Sequence, residues 1–371
     1  MPRLRLIADD ITGALDSAVK FAGPELDIEV SWDLPVGTGS FAYDTETREA
    51  TARDAFDKVS AALPFLRDAD IAFKKIDSLI RGNTAIELAA CAQSGAFDNI
   101  VIAPAYPALG RVTQGGRQYA IDGVVPGNEV GLRPSLQASL EVLGVNTTVY
   151  SPGAESRKQG VYICDADSDA DLLAAVAFGR SLPGTTLWCG SGGLAGVLAS
   201  SGERRAMRID GPVLVIAGSD SPRVERQLSV LGDERQFESL VVKEEGDLRD
   251  RLAIRLFQGL ERGLDTFLRF AWTGNLPRAK AAAQMSTFFE LMASHRLPKP
   301  GALVLCGGET AVRLFRAMGA RKVSPRDEVV PGAPVSIIRG GPWSGTVVVT
   351  KSGSFGDDNV FVEIVNNLFK G

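Results

Sequence analysis

Short apolar runs and helix-period stretches alternate along almost the whole chain, and this alternation restricts the fold more than any other feature of the sequence. In the first half LRLIA, SFAYDT, IAFKKI, NIVIAPA, TTVYS, GVYICDA and TTLWCG read as strands, separated by helical patterns near 47–62, 84–94, 134–143, 168–180 and 193–200. After a polar, glycine-bearing stretch, SSGERRAMRIDGP (200–212), the pattern restarts with VLVIAG, LVVKE, TFLRFAW, ALVLCGG, VSIIRG and TVVVTKSG. Strands that alternate with helices mark βαβ units and parallel sheets covered on both faces. At 371 residues the chain exceeds what one core usually serves. The expectation is α/β, with two domains of largely parallel sheet, 1–207 and 208–371, and an active-site cleft between them.

Charge and composition exclude several classes. A net charge of −5 with no basic run argues against a nucleic-acid binder. No apolar run approaches the ~20 residues of a membrane span. The carboxylates at positions 9 and 10 interrupt what would be a signal peptide's apolar core, so a cytoplasmic location is expected. Cys91, Cys164, Cys189 and Cys306 form no CxxC pair and read as buried, reduced thiols. The single histidine, His295, lies at a polar helix end before a proline-rich connection and reads as a surface residue. A Ser-His-Asp triad or a multi-histidine metal site needs a histidine in a better place. Any general base must then be a carboxylate or a lysine, and any metal must be held mainly by oxygen.

Three strand ends in the first half carry dense polar chemistry. LRLIADDITGALDSAVKFAG (4–23) reads as strand, turn and helix, with Asp9 and Asp10 at the turn. The first βα turn of a parallel sheet is where such folds place ligands. One carboxylate is explained as a helix N-cap; two adjacent ones repel unless a cation or hydroxyl stands between them. FKKIDSLIRGNTAIEL (73–88) places Lys74 and Lys75 on opposite faces of a strand, so that only one faces a cleft. Asp77, Ser78, Arg81 and Asn83 follow, with Asn83 as a candidate helix cap. The alternatives for this turn are a solvated, salt-bridged loop or an anion site in which arginine offers a fork and lysine a point charge. APAYPALGRVTQGGRQYAIDG (103–123), with Arg111, Thr113, Gln114 and Arg117, reads as a long loop without regular structure, and loops of ~20 residues are usually functional. Asp9, Asp10, Lys74, Asp77, Arg81 and Arg111 together suit a small polyhydroxylated anion: cations for its carboxylate, carboxylates for its hydroxyls.

The second half carries glycine turns instead. VLVIAGSDSPRVERQL leads from a strand through Gly218, Ser219, Asp220 and Ser221 to Pro222 at a helix start. ALVLCGGETAVRLF repeats the plan with Gly307, Gly308, Glu309 and Thr310, and TVVVTKSGSFGDDNVF adds Lys351, Gly353 and Gly356. Such turns aim unpaired N–H groups and a positive dipole end at one spot, which suits phosphate. Tight packing accounts for any one of them; three in one domain with a lysine favour a nucleotide site. No G-x-x-x-x-G-K-[ST] pattern occurs. GSGGLA (190–195) has the form of a dinucleotide fingerprint, but the acidic residue at the right distance, Asp210, precedes its strand instead of ending it.

These motifs together resemble the four-carbon acid sugar kinases. IADDITGALDSA, KKIDSLIRGN, the PAYP…GR…G loop, GSDSPRVERQ, GGET and KSGSFG match the family's segments in order and nearly from end to end. Leu79 stands where the family usually has threonine, Glu309 stands where aspartate is usual, and the segment from Arg117 to Gly131 is short. The resemblance implies an N-terminal domain that binds a sugar acid such as threonate, erythronate or a 3-oxo-tetronate, and a C-terminal domain that binds ATP. Phosphate would pass to the terminal 4-hydroxyl. It further implies that Asp9 and Asp10 hold the acceptor hydroxyls and one takes the proton, while Lys74, Asp77, Ser78, Arg81, Asn83 and Arg111 bind the acid. Ser219, Ser221, Gly307, Gly308, Glu309, Thr310, Lys351, Gly353 and Gly356 would then cradle ATP, with Lys351 meeting developing charge. Mg²⁺ would bridge the phosphates with Asp357 in its oxygen shell. A homodimer is the assembly this allows, with neither nucleic acid nor membrane as partner. The rivals are a non-catalytic sugar-acid sensor and an NAD-dependent sugar-acid dehydrogenase.

Overall fold

The computed structural model describes residues 2–23, 26–34, 38–120, 135–153, 158–199, 209–218, 221–243, 248–272, 276–353 and 355–369. The chain divides into two compact units, Met1–Glu203 and Arg204–Gly371. The expected linker falls largely at 200–208, outside the described residues.

The first unit runs β1 (Leu4–Ala8), α1 (Ile11–Phe21), β2 (Glu29–Ser31), β3 (Phe41–Asp44), α2 (Ala52–Ala62), β4 (Ile71–Lys75), α3 (Thr84–Gln93), β5 (Asn99–Ala103), β6 (Arg111–Gln114), β7 (Arg117–Ala120), α4 (Leu136–Val142), β8 (Thr148–Tyr150), β9 (Gly160–Cys164), α5 (Asp169–Ser181), β10 (Thr186–Gly190) and α6 (Gly192–Leu198). Its sheet has the order β2-β3-β1-β4-β10-β5-β9-β8 and is parallel throughout. One face packs Ile7, Ala72, Ile102, Leu187 and Cys189 against Val59, Leu88 and Leu140. Helix ends are specified locally: Asp10 caps α1, Thr51 caps α2, and Ser168 with Asp171 closes a capping box on α5.

Two sequence expectations change here. The helical pattern near 47–62 begins as a helix only at Ala52, because Thr51 accepts the Asp54 N–H and ends the preceding loop. Thr47 and Arg48 therefore belong to the turn after β3. The 103–123 stretch is not a structureless loop: β6 and β7 form an antiparallel hairpin, pairing Arg111 with Ala120 and Gln114 with Arg117. Residues 121–134, most of the short segment before α4, lie outside the described residues.

The second unit runs β11 (Val213–Ala217), α7 (Pro222–Glu234), β12 (Glu238–Val242), α8 (Leu248–Glu261), β13 (Thr266–Phe270), α9 (Arg278–Ser294), β14 (Ala302–Cys306), α10 (Gly308–Ala317), β15 (Lys322–Val330), β16 (Ala333–Arg339), β17 (Val347–Lys351) and α11 (Val360–Phe369). Its strands follow the order β12-β13-β11-β14-β17-β16-β15. The first five are parallel, while β16 runs antiparallel to β17 and to β15. β15 has no counterpart in the sequence reading. Pro325, Arg326, Asp327 and Glu328 interrupt its apolar pattern, and the pairing breaks register between Pro325 and Asp327, as a residue without an N–H requires. Its core joins Val213, Val215, Val304 and Val349 to Leu228, Phe361 and Ile364. All four cysteines are free and buried, as expected. His295 ends α9, with Nε2 3.3 Å from Asp250 Oδ1. Among the described residues no helix is long and apolar enough to cross a membrane.

Gly179 tests how tightly α5 sits on its sheet. A Cβ there would lie 2.5 Å from the Trp188 ring and 3.1 Å from Val101. Alanine gains up to about 1 kcal/mol in helix propensity, but overpacking against a rigid ring costs about 1–3 kcal/mol. Gly179→Ala is therefore expected to lower stability, read as a lower urea midpoint; a raised midpoint would show propensity outweighing the contact.

Candidate active site

β1 pairs with β3 on one side and β4 on the other, so the turns that leave these three strands converge. The turn after β1 presents Asp9 and Asp10, the turn after β3 presents Arg48, and the turn after β4 presents Asp77 and Arg81. Arg48 is the residue the sequence reading missed, and it answers the repulsion between the two aspartates. Its Nε donates to Asp9 Oδ2 at 2.7 Å, its Nη1 to Asp10 Oδ2 at 2.5 Å, and its Nη2 lies 3.5 Å from Asp77 Oδ2. The one available signal was the polar run TETR directly after the β3 pattern.

The Arg48 turn is held from both sides. Asp9 O accepts the N–H groups of Thr47 and Arg48 at 3.1 and 3.2 Å. Asn83 Nδ2 donates to Thr47 O and Ala50 O, both at 2.8 Å. Asn83 therefore does not cap α3 as expected; its amide is spent on the Arg48 turn, and no side chain caps that helix. Gly82 has φ +67°, and a Cβ on it would stand 2.6 Å from Arg48 O. The RGN sequence is thus a seat for Arg48.

Each carboxylate has a distinct job. Asp10 Oδ1 accepts the Gly13 N–H at 2.8 Å, and its Oδ2 accepts the Thr12 hydroxyl at 2.7 Å as well as Arg48. Asp77 accepts Arg81 Nε and Nη2 at 3.0 and 2.5 Å and the Leu79 N–H at 2.8 Å. Asp9 Oδ1, by contrast, is buried with no hydrogen-bond partner among the described residues. Burial opposes the charge of Asp9, but the Arg48 guanidinium and the Lys75 and Lys74 ammonium groups outweigh it and hold its carboxyl below the usual range. Burial is likewise outweighed at Asp77, by Arg48 and Arg81, which hold its carboxyl well down. Asp44, at the end of β3, takes the opposite course. Burial and the Asp10 carboxylate push it well up, against one hydrogen bond from the Glu46 N–H.

Lys74 and Lys75 do separate onto opposite faces. Lys74 has no exposure, and its Nζ lies 2.6 Å from Glu87 Oε2 in α3 and donates to Lys75 O. The Glu87 carboxylate outweighs burial and keeps Lys74 protonated. Lys74 is thus committed to an internal ion pair and is no anchor for a ligand's carboxylate. Lys75 Nζ lies on the α1 face, 2.9 Å from where a Gly13 Cβ would be, and donates to Ile76 O. Ser78 O accepts Gln118 Nε2 at 2.8 Å, which ties the β6–β7 hairpin to this turn. Arg111 Nη1 donates to Leu109 O at 2.8 Å.

In the second unit β11, β14 and β17 are neighbours, so the three glycine turns lie side by side. A Cβ on Gly218 would stand 2.1 Å from Thr310 Oγ1, so the first two turns touch. Gly307 N donates to Lys351 O at 2.9 Å, joining the second turn to the third. Ser221 caps α7, and Gly308, Glu309 and Thr310 open α10. The Glu309 carboxylate is engaged by Arg278 at 3.3 Å and Arg313 at 2.8 Å. Ser219 lies outside the described residues. Lys351 is fully buried, and Gly353 O is 3.5 Å from its Nζ. Asp357 is exposed, with Oδ1 accepting the Asn359 N–H at 2.9 Å. No group of three His, Cys, Asp or Glu able to hold a metal occurs among the described residues.

Comparison with known proteins agrees with this division. Residues 4–148 match a sugar-binding N-terminal domain, and residues 214–361 a nucleotide-binding C-terminal domain. A D-threonate kinase of Cupriavidus necator is 30% identical, covering 95% of this chain and 95% of that protein. The chain belongs to the four-carbon acid sugar kinase family. A D-threonate kinase of Bordetella bronchiseptica is 28% identical over 97% of this chain and 96% of its own length. A 3-oxo-tetronate kinase of Pseudomonas fluorescens is 26% identical over all of this chain and 98% of its own length. Among solved structures, a Salmonella typhimurium protein shares the fold with a TM-score of 0.76 at 20% identity, covering 98% of each chain. For this sugar acid kinase family member the dinucleotide reading of GSGGLA is set aside. A Cβ on Gly190 or Gly193 would stand 2.6 Å from the carbonyl of Ala103 or Ala105, and one on Gly192 2.4 Å from Asp16, so these glycines serve packing.

Two outcomes follow from the cluster. Gly82→Ala is expected to cost about 1–2 kcal/mol from the left-handed backbone alone, and more as Arg48 is displaced; an unchanged thermal midpoint would refute the seat. Asp44→Asn is expected to stabilise the protein at neutral pH. Above the ordinary carboxylate pKa of about 4 the unfolded chain releases the Asp44 proton while the folded chain keeps it, which favours unfolding. The gain in thermal midpoint should therefore be present at pH 7 and fade as pH falls below about 4.

Proposed function

We propose that the protein is an ATP-dependent kinase that phosphorylates the terminal 4-hydroxyl of a four-carbon sugar acid of the threonate or erythronate type. The observation that carries this reading is the buried, unpartnered Oδ1 of Asp9 inside an otherwise saturated cluster. A buried acceptor without a donor is costly, and a substrate hydroxyl supplies the missing donor. The relatives named D-threonate kinase span nearly the whole chain and support the same substrate class.

In this reading Asp9 receives the acceptor hydroxyl. Arg48 holds the carboxylate so that its free oxygen is presented and its partner oxygen is not. Phosphoryl transfer needs chiefly positioning and charge neutralisation, so a carboxylate of low basicity suffices to orient the nucleophile and take its proton as the bond forms. Asp10 keeps the start of α1 in place. Arg81, aligned by Asp77 and with its side chain 40% exposed, and Lys75 take the substrate carboxylate. Ser221, Gly307 to Thr310, Gly353 and Gly356 border the nucleotide's phosphates at the helix starts and the last turn. Mg²⁺ enters with those phosphates, and no step is assigned to it.

An ADP-release assay across a panel of C4 sugar acids, with glycerate and tartrate as controls, tests the reading. Turnover is expected with at least one C4 acid. Asp9→Asn should lower kcat by about 10²–10⁴-fold. Asp10→Asn, which keeps an effective cap, should act mainly on KM. Wild-type turnover in Asp9→Asn would remove the base from Asp9, and no ADP release with any C4 acid would remove the kinase reading.

A further inference from the structure

Lys351, the last residue of β17, has no solvent exposure. Its Nζ lies 3.2 Å from Gln227 Oε1, 3.3 Å from Cys306 Sγ, 3.2 Å from Ser352 O and 3.5 Å from Gly353 O. It also stands 4.8 Å from the centroid of the Phe361 ring. Every one of these partners is neutral. Lone pairs and a π face surround the ammonium, and none of these contacts is a carboxylate.

Gln227, also fully buried, holds the turn above this charge. Its Nε2 donates to Phe355 O at 3.2 Å, Gly356 O at 3.1 Å and Asp357 O at 2.8 Å. Arg223 Nε and Nη2 add 3.1 and 2.7 Å bonds to Gly356 O. The carbonyls of residues 352, 353, 355, 356 and 357 are thus drawn inward by Lys351, Gln227 and Arg223. In a trans peptide the N–H of the next residue points the opposite way, so the N–H groups of Gly353, Gly356, Asp357 and Asp358 face outward. A row of outward amides above a buried cation is an anion cradle.

We propose that Gln227 and Lys351 form a buried positioning couple, which presets the backbone of Ser352, Gly353 and Phe355 to Asp357 and supplies a buried positive charge beneath it for the nucleotide's phosphate chain. This rests on the kinase reading and changes the part of Lys351: it acts through the turn and its field and does not itself contact phosphate. The effect must therefore rank with ligand charge.

Calorimetric titration with ATP, ADP, AMP and adenosine provides the test. Lys351→Met should weaken ATP by about tenfold or more, ADP and AMP by progressively less, and adenosine by under about twofold, with the thermal midpoint retained because an unpaired buried charge is removed. Lys351→Arg, which keeps the charge, should bind ATP within a few-fold of wild type. Gln227→Glu, which sets a carboxylate against the ammonium, should give the same charge-ranked losses. Equal weakening of ATP and adenosine, or none, overturns the couple. A wild-type protein that binds no nucleotide at all overturns the kinase reading itself, and the two failures are told apart by that control.

Discussion

The first unit's candidate site depends on one guanidinium. Arg48 contacts Asp9 and Asp10 and reaches Asp77, three carboxylates delivered by the ends of β1 and β4. Without a cation at their centre these groups would drive one another to protonate or move apart. Much of what surrounds Arg48 keeps it there: the Asp9 carbonyl, the Asn83 amide and the bare backbone of Gly82. The arrangement engages Asp10 and Asp77 and leaves Asp9 Oδ1 without a hydrogen-bond partner among the described residues.

The same turn also separates two kinds of carboxylic acid within a few residues. Asp9 and Asp77 are held ionised because positive charge outweighs burial, whereas burial and the Asp10 carboxylate push Asp44 well above its ordinary range. In the second unit Lys351 is buried among neutral acceptors, the Gln227 side chain and the Ser352 carbonyl.

Much of the fold was legible from periodicity. The alternation of apolar runs and helical patterns marks the parallel strands of both units, because a strand covered on both faces has to be apolar throughout. β15 escaped because Pro325 and the charges after it break that pattern, and the start of α2 was misjudged because Thr47 and Arg48 continue a helix-compatible composition into a loop. The site was legible in kind and less so in membership. Asp9, Asp10, Asp77 and Arg81 were singled out by their motifs and do converge. Lys74 was chosen over Lys75, since a strand's alternation tells that the two diverge but not which face carries which neighbours. Arg48 carries no motif of its own.

Residue order alone determined the layer architecture, the succession of polar turns and the resemblance to sugar acid kinases, because these depend on local pattern and on residue type. Which turns meet was decided only by tertiary structure. Strand order sets β3 beside β1, which brings Arg48 to the aspartates. Strand order is a property of long-range pairing, and no stretch of sequence, however suggestive, contains its neighbour across the sheet.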